Sequence, residues 1–409
     1  MTSVLERLQQ TTDDTEIWWD SPPLDFPDWR ERVVADAPDE ETRNRWGEQL
    51  RRFLDPENPA DSLVRGVTTN PSLVARSVLS TPTRWGPWLG RLIEEGGVTR
   101  PEEAYGAVYR EVLRRSARAL LPLWRDSDGR YGWVSGQLDP RTVFDAERML
   151  RQSLELAALG PNMMVKVPGS AEGYQVIERL VARGISVNST FSYTVPQFLA
   201  CARAVGRGLA AARSAGVDTT RWRAVFTHMI GRFGANTDLA YEAAARDVRL
   251  TPGDLRWAEI AVLKRIHSLI REKDLPLKPL LSSLLADGPG TGGTLSMHLE
   301  ETAGASAVYT CKPSFVEELT RRQSEFRGFR PHAVDDPVPV RTLDRLRRLP
   351  TFRQAYEPDG MDPAEFGHYG CFVATYAEVL QNTRQLVDFA ARQFHSPSSP
   401  RHELIAAGG

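Results

Sequence analysis

The chain has 409 residues, 41% of them hydrophobic and 25% charged, a composition that folds and excludes a disordered or collagen-like polymer. Its 51 basic and 53 acidic residues leave a formal charge of −2, so no overall field draws it to nucleic acid or to an anionic membrane surface. No apolar run reaches the roughly 18 residues of a spanning helix, and the N-terminal MTSVLERLQQTTDD lacks the layout of a secretory leader. The three cysteines, Cys201, Cys311 and Cys371, stand in no metal-ligand spacing, so a soluble cytoplasmic protein without a structural metal is expected.

Apolar segments of β type alternate with longer stretches of helical period, which predicts an α/β architecture with parallel strands. In chain order the strands fall at 16–20 (EIWWD), 63–69 (LVRGVTT), 131–137 (YGWVSGQ), 163–167 (MMVKV), 184–190 (GISVNST), 222–228 (WRAVFTH), 277–283 (LKPLLSS) and 306–311 (SAVYTC). The long first connection, 21–62, has helical character in DWRERVV and RNRWGEQLRRFL. After the fourth strand, Tyr174, Ile177, Leu180 and Val181 share one helical face; after the fifth, Phe198, Ala202, Val205 and Leu209 form a stripe, with Pro196 in the first turn. Eight such units predict a closed (β/α)8 TIM-type barrel over about 14–320. A helical extension follows over 321–396, with a long final helix near 364–395, and 397–409 reads as a frayed tail; the whole is expected to form one domain. RTLDRLRRLP reads as a solvated helical face.

Only five of the 51 basic residues are lysines: Lys166, Lys264, Lys273, Lys278 and Lys312. Lysine can lose its proton and attack a carbonyl, which arginine cannot. In MMVKV every neighbour of Lys166 is apolar, as in a barrel strand covered on both faces. Alternation gives Lys166 the direction of Met164, one step nearer the C-terminal mouth, and burial there favours a free amine able to form a Schiff base. A strand-end lysine reaching to solvent is the plainer alternative. Polar residues end nearly every other strand, however: Asp20, Thr69 and Asn70, Gln137, Asn188 and Thr190, Thr227, and Ser282 and Ser283. A closed barrel would bring them to one mouth.

The segments GVTTNPSL (66–73), MVKVPGSAEGYQVIERLVARGISVNSTFS (164–192), VFTHMIGRFG (225–234) and CKPSFVEEL (311–319) resemble the transaldolase family, the class I Schiff-base aldolases that include fructose-6-phosphate aldolase. The resemblance implies aldol chemistry of carbohydrate metabolism without metal or organic cofactor. Lys166 matches the Schiff-base lysine and Asp20 the acid/base carboxylate. Asn70 and Asn188 match the amides that hold the hydroxyls of the ketose's first three carbons, and Thr69 and Ser283, from their places at strand ends, are expected to bind the substrate with them. Thr190 matches the hydroxyl that holds the catalytic water, while Thr227 and Arg232 match groups that grip a sugar phosphate. Members are often dimers or larger, so a homodimer is the expected assembly.

Several positions depart from the pattern. Gln137, in VSGQLDPR, stands where transaldolases carry a glutamate, and an amide orients water but cannot take its proton. The fructose-6-phosphate aldolase branch also has glutamine there, yet Met229 replaces the tyrosine of that branch and the phenylalanine of the other. Leu285 falls near the place of a further phosphate-gripping arginine. The glycine-rich turn of Gly288, Gly290, Gly292 and Gly293 offers backbone N–H groups to an anion or is simply a flexible turn. His228 either assists proton transfer or faces the helices. Lys312 reads as a phosphate or surface contact. The sequence therefore points to transfer of a dihydroxyacetone unit between ketose and aldose, free or phosphorylated. A lyase that releases dihydroxyacetone, and a sugar-phosphate-binding barrel without turnover, are the alternatives.

Overall fold

Eight apolar segments become the staves of a closed parallel barrel in the computed structural model, which describes residues 2–55, 57–235, 237–288, 291 and 293–394. The strands are β1 (Glu16–Trp19), β2 (Val64–Thr68), β3 (Trp133–Gln137), β4 (Met163–Pro168), β5 (Val187–Ser192), β6 (Ala224–His228), β7 (Lys278–Leu281) and β8 (Val308–Cys311). Each pairs with its sequence neighbour, and β1 closes on β8 from Glu16 against Val308 to Trp19 against Cys311. The TIM-type barrel and the extra C-terminal helices expected from the sequence are both present. The tail 397–409, with Gly290 and Gly292 of the glycine-rich turn, lies outside the described residues.

Helices enter where short polar side chains or prolines prepare the first turn. Asn70 caps Pro71–Ser80, Ser170 caps Ala171–Val181, and Thr194 caps Val195–Ser214, each side chain accepting a backbone N–H three residues on. The C-terminal ends of β1, β2 and β4 fall one residue from the sequence expectation, and those of β5 and β7 fall two residues from it. At β5 a register irregularity between Ser189 and Ser192, with Phe191 at φ 50°, carries the strand on to Ser192. At β7 pairing stops at Leu281 because Ser283 turns left-handed at φ 58°. The first connection is helical over Phe26–Ala35 and Glu40–Phe53, and the final helix starts at Gly370 after a 3-10 turn over Pro363–His368.

Alternation sorts the barrel interior into layers. Trp18, Met164, Val225, Leu280 and Val308 fill the middle, each fully buried. Gly66 leaves the space that Trp18 takes, since a Cβ there would lie 2.6 Å from the indole. Below, Glu16 receives Arg223 at 2.5 Å, Lys278 at 2.7 Å and the Trp18 indole N–H at 3.0 Å, an ion cluster that plugs the N-terminal end. The layer above the tryptophan is almost wholly polar, and it forms the mouth. The final helix, Gly370–Phe394, runs along the mouth side: Tyr193 at the end of β5 donates to Thr375 at 2.7 Å, and Asn382 donates to Ser72 beyond β2 at 2.9 Å. No described helix is long and apolar enough to cross a membrane.

Candidate active site

Lys166 sits at 4% exposure in the mouth layer, in register between Gln137 on β3 and Asn188 on β5. Its ammonium form is disfavoured: burial pushes the pKa below the ordinary lysine value, the nearby Arg232 adds to this, and Asp20 opposes it. Among the described residues Nζ has no hydrogen-bond or ion-pair partner within contact distance. That leaves an amine at the mouth that loses its proton more readily than an ordinary lysine.

Asp20 follows the last residue of β1, its N–H donating to the Cys311 carbonyl at 2.9 Å. Burial raises its carboxyl above the usual range against the opposing pull of Lys166, a hydrogen bond from Thr68, and the more distant Lys312 and Arg232. The Thr68 hydroxyl donates to Oδ1 at 2.6 Å and lies 2.5 Å from that of Thr310. Because Thr68 has a single proton and gives it to Asp20, Thr310 is the donor in the second contact. The carboxylate is thus held by a relay of two hydroxyls, and a positive charge fixed on Lys166 would favour its ionised form.

On the other side of Lys166, Asn188 is fixed at both ends: Nδ2 donates to Ser135 at 2.9 Å and Oδ1 accepts from Thr227 at 2.7 Å. Thr190, two residues on, takes the same side by alternation and is buried. Gln137 is 2% exposed, and its Nε2 has no hydrogen-bond partner; a buried donor of this kind is ready for a ligand or water. Asn70 spends Oδ1 on its cap, accepting from Leu73 at 2.8 Å, which leaves its two amide protons. Ser283 lies two residues past β7.

Arg232, in the short helix Ile230–Phe233 after β6, is engaged by a carboxylate. Its Nη1 and Nη2 donate to the two oxygens of Glu378 on the final helix, the Nη2 contact at 3.0 Å. Burial would lower the arginine, but Glu378 more than offsets it and the guanidinium stays fully charged.

One candidate is corrected. Thr69 does not face the mouth: Thr68 does, so its neighbour points outward, where its hydroxyl lies beside the Tyr109 phenol of the helix Pro101–Asp126. His228 also faces the helices, its Nε2 3.4 Å from the Glu259 carbonyl, and burial pushes its pKa down to about 4. It is a neutral group of the barrel wall, away from Lys166. The N–H groups of Leu295 and Ser296, past the glycine-rich turn, go to Glu300, and that of Met297 goes to Asp287. These amides are therefore used internally.

Four residues of the mouth went unrecognised in the sequence. Ser135 could have been found from strand parity, since it shares β3 and its direction with Gln137; Thr68 and Thr310 are aligned with Asp20 and Trp18 only by the cross-strand register. Glu378 carries no local signal, because only the docking of the final helix brings it to Arg232. Among the described residues no three His, Cys, Asp or Glu side chains converge where they could hold a metal ion.

A parallel eight-stranded barrel with a buried amine, a hydroxyl-held carboxylate and fixed amides at its C-terminal mouth is the plan of a barrel enzyme. The family model described as transaldolase/fructose-6-phosphate aldolase matches residues 57–336, and the chain belongs to that family as an enzyme of transaldolase or aldolase type. Among curated relatives, a transaldolase of Saccharopolyspora erythraea is 28% identical over 352 residues, covering 81% of this chain and 90% of that protein. A transaldolase of Thiobacillus denitrificans is 34% identical over 181 residues, 44% of this chain and 50% of its own length. One of Mycobacterium tuberculosis is 30% identical over 177 residues, 43% and 47% respectively.

Proposed function

We propose that the enzyme moves a dihydroxyacetone unit from a ketose, free or phosphorylated, to an aldose through a Schiff base on Lys166. The uncharged amine attacks the ketose carbonyl carbon, and loss of water gives an iminium. The iminium withdraws the electron pair of the bond between the third and fourth carbons. As that bond breaks, Asp20 takes the proton of the fourth-carbon hydroxyl and an aldehyde leaves. The three-carbon enamine remains on Lys166. It adds to the carbonyl carbon of an incoming aldose, Asp20 returns its proton to the new hydroxyl, and water hydrolyses the iminium to free the product ketose. Asn188, fixed by Thr227, and Asn70 hold the hydroxyls of the three-carbon unit, and Thr190 and Gln137 orient the water. Thr68 and Thr310 aim Asp20 and favour its ionised form against the upward push of burial.

The observation that carries this reading is Lys166 itself: an unpaired amine in the mouth layer, its charge disfavoured by burial, with Asp20 close enough to be felt electrostatically. Gln137 favours a second reading. Without a carboxylate at that position, protonation of the enamine and hydrolysis would release free dihydroxyacetone, as an aldolase does. Incubation with fructose or fructose 6-phosphate, with and without erythrose 4-phosphate, separates the two. Transfer predicts a new ketose only when an acceptor is present; steady release of dihydroxyacetone without acceptor supports the second reading, and neither product overturns both.

A further inference from the structure

The far end of the site is built around a guanidinium that is already taken. Arg232 gives both terminal nitrogens to Glu378, and this carboxylate does not hang from a loose loop. Thr375, Glu378 and Asn382 follow one another at three and four residues, so they share the helix face turned to the barrel. Thr375 is bonded to Tyr193, and Asn382 to Ser72. Phe372 packs on Phe191 with centroids 5.3 Å apart, and the Cys371 sulfur lies 3.8 Å from the Arg232 and Phe233 carbonyls. The helix is therefore clamped on both sides of Glu378.

A phosphomonoester at Arg232 would have to displace this carboxylate or sit as a second anion beside it. Glu378 cannot give way by protonation, because its hydrogen bonds with Arg232, with the fields of Arg76 and Lys312, hold its carboxyl below the usual range. Among the described residues the loop after β7 supplies no second cation: Leu285 presents hydrocarbon to Gly231, and the amides of Leu295 and Met297 are bonded to Glu300 and Asp287. A hydroxyl, by contrast, fits the pair as it stands, donating to Glu378 without disturbing Arg232.

We propose that Glu378 is a specificity residue that fits the distal end of the site to a hydroxyl-terminated, unphosphorylated sugar. This rests on Lys166 forming the Schiff base. The test is borohydride trapping of the Lys166 adduct, read by peptide mass against ketose concentration, with fructose and fructose 6-phosphate as the matched probes. The wild-type enzyme is expected to be trapped at lower concentrations of fructose than of fructose 6-phosphate. Glu378→Gln is expected to raise the preference for the phosphate ester by about 10- to 100-fold, the range of a charge-assisted contact. Glu378→Ala should shift it in the same direction. A wild-type preference for fructose 6-phosphate, or a preference unmoved in folded Glu378 variants, overturns the proposal while leaving the Schiff base intact. Should neither ketose label Lys166, the reading of the site falls and this inference with it; the two failures are therefore distinct. The wild-type comparison decides even if the variants do not fold.

Discussion

Replacing Thr68 by valine removes one hydroxyl and nothing of similar size, yet it acts on the catalytic carboxylate. Wild-type Thr68 donates to Asp20 at 2.6 Å and accepts from Thr310. Thr68→Val deletes the first bond and leaves the Thr310 proton without its acceptor. A hydrogen bond to a charged group is worth about 1.5–3 kcal/mol. If that loss falls on the ionised form of Asp20 in the bond-breaking step, kcat at neutral pH drops about 10- to 100-fold. The sign follows from the direction of the bond. Thr68 lowers the Asp20 pKa against the upward push of burial, so its removal raises the pKa further. The acid limb of the kcat profile should therefore move toward alkaline pH, with KM for the ketose little changed. Thr68→Ser, which keeps the hydroxyl, should restore both rate and profile. The assay is ketose-to-aldose transfer measured from pH 5 to 9. A Thr68→Val enzyme with unaltered kcat and an unmoved acid limb would refute the relay from Thr310 through Thr68 to Asp20.

Three further outcomes follow from the same geometry. Lys166→Met should abolish the trapped adduct and stabilise the fold by about 1–3 kcal/mol at neutral pH, because it removes a buried amine whose folded pKa is depressed. The gain should grow as pH falls below the unfolded lysine value, in denaturant titrations. Gln137→Glu places a carboxylate in register with Lys166, which favours the ammonium form; adduct formation should shift to higher pH, and an unshifted profile would contradict the pairing. Glu16→Gln leaves Arg223 and Lys278 facing each other without a countercharge and should destabilise the barrel floor by about 3–5 kcal/mol. Burial pushes the Glu16 carboxyl up, but the two cations outweigh it and hold it below the usual range. Its contribution is therefore present above the ordinary glutamate pKa and lost as pH falls through the folded value. The gap between wild type and variant should close in acid.

The barrel was legible because parallel strands covered on both faces read as short apolar runs, and eight of them alternated with helical stretches. Lys166 stood out for a related reason, as a charge in a run that otherwise tolerates none. Facing was less legible than position. Thr68 and Thr69 are identical in chemistry, and a motif match does not say which of them looks inward; the pleat decides, and in β2 it selects Thr68. The end of β7 was read two residues too far because LLSS is compatible with a strand, and only the left-handed turn at Ser283 stops it. Arg232 was recognised as a cation suited to phosphate, but its partner was not. Glu378 follows it by 146 residues, and no local period links the two. Contacts made by docking a remote helix onto the mouth are set by tertiary packing, which a single sequence does not display.

The central claim is that Lys166 carries the substrate. It is tested most directly by sodium borohydride reduction in the presence of a ketose, followed by digestion and peptide mass mapping of every lysine. The account predicts one modified peptide, containing Lys166, and no incorporation in Lys166→Met. Incorporation at another lysine such as Lys312, or none with any ketose or ketose phosphate, would contradict it.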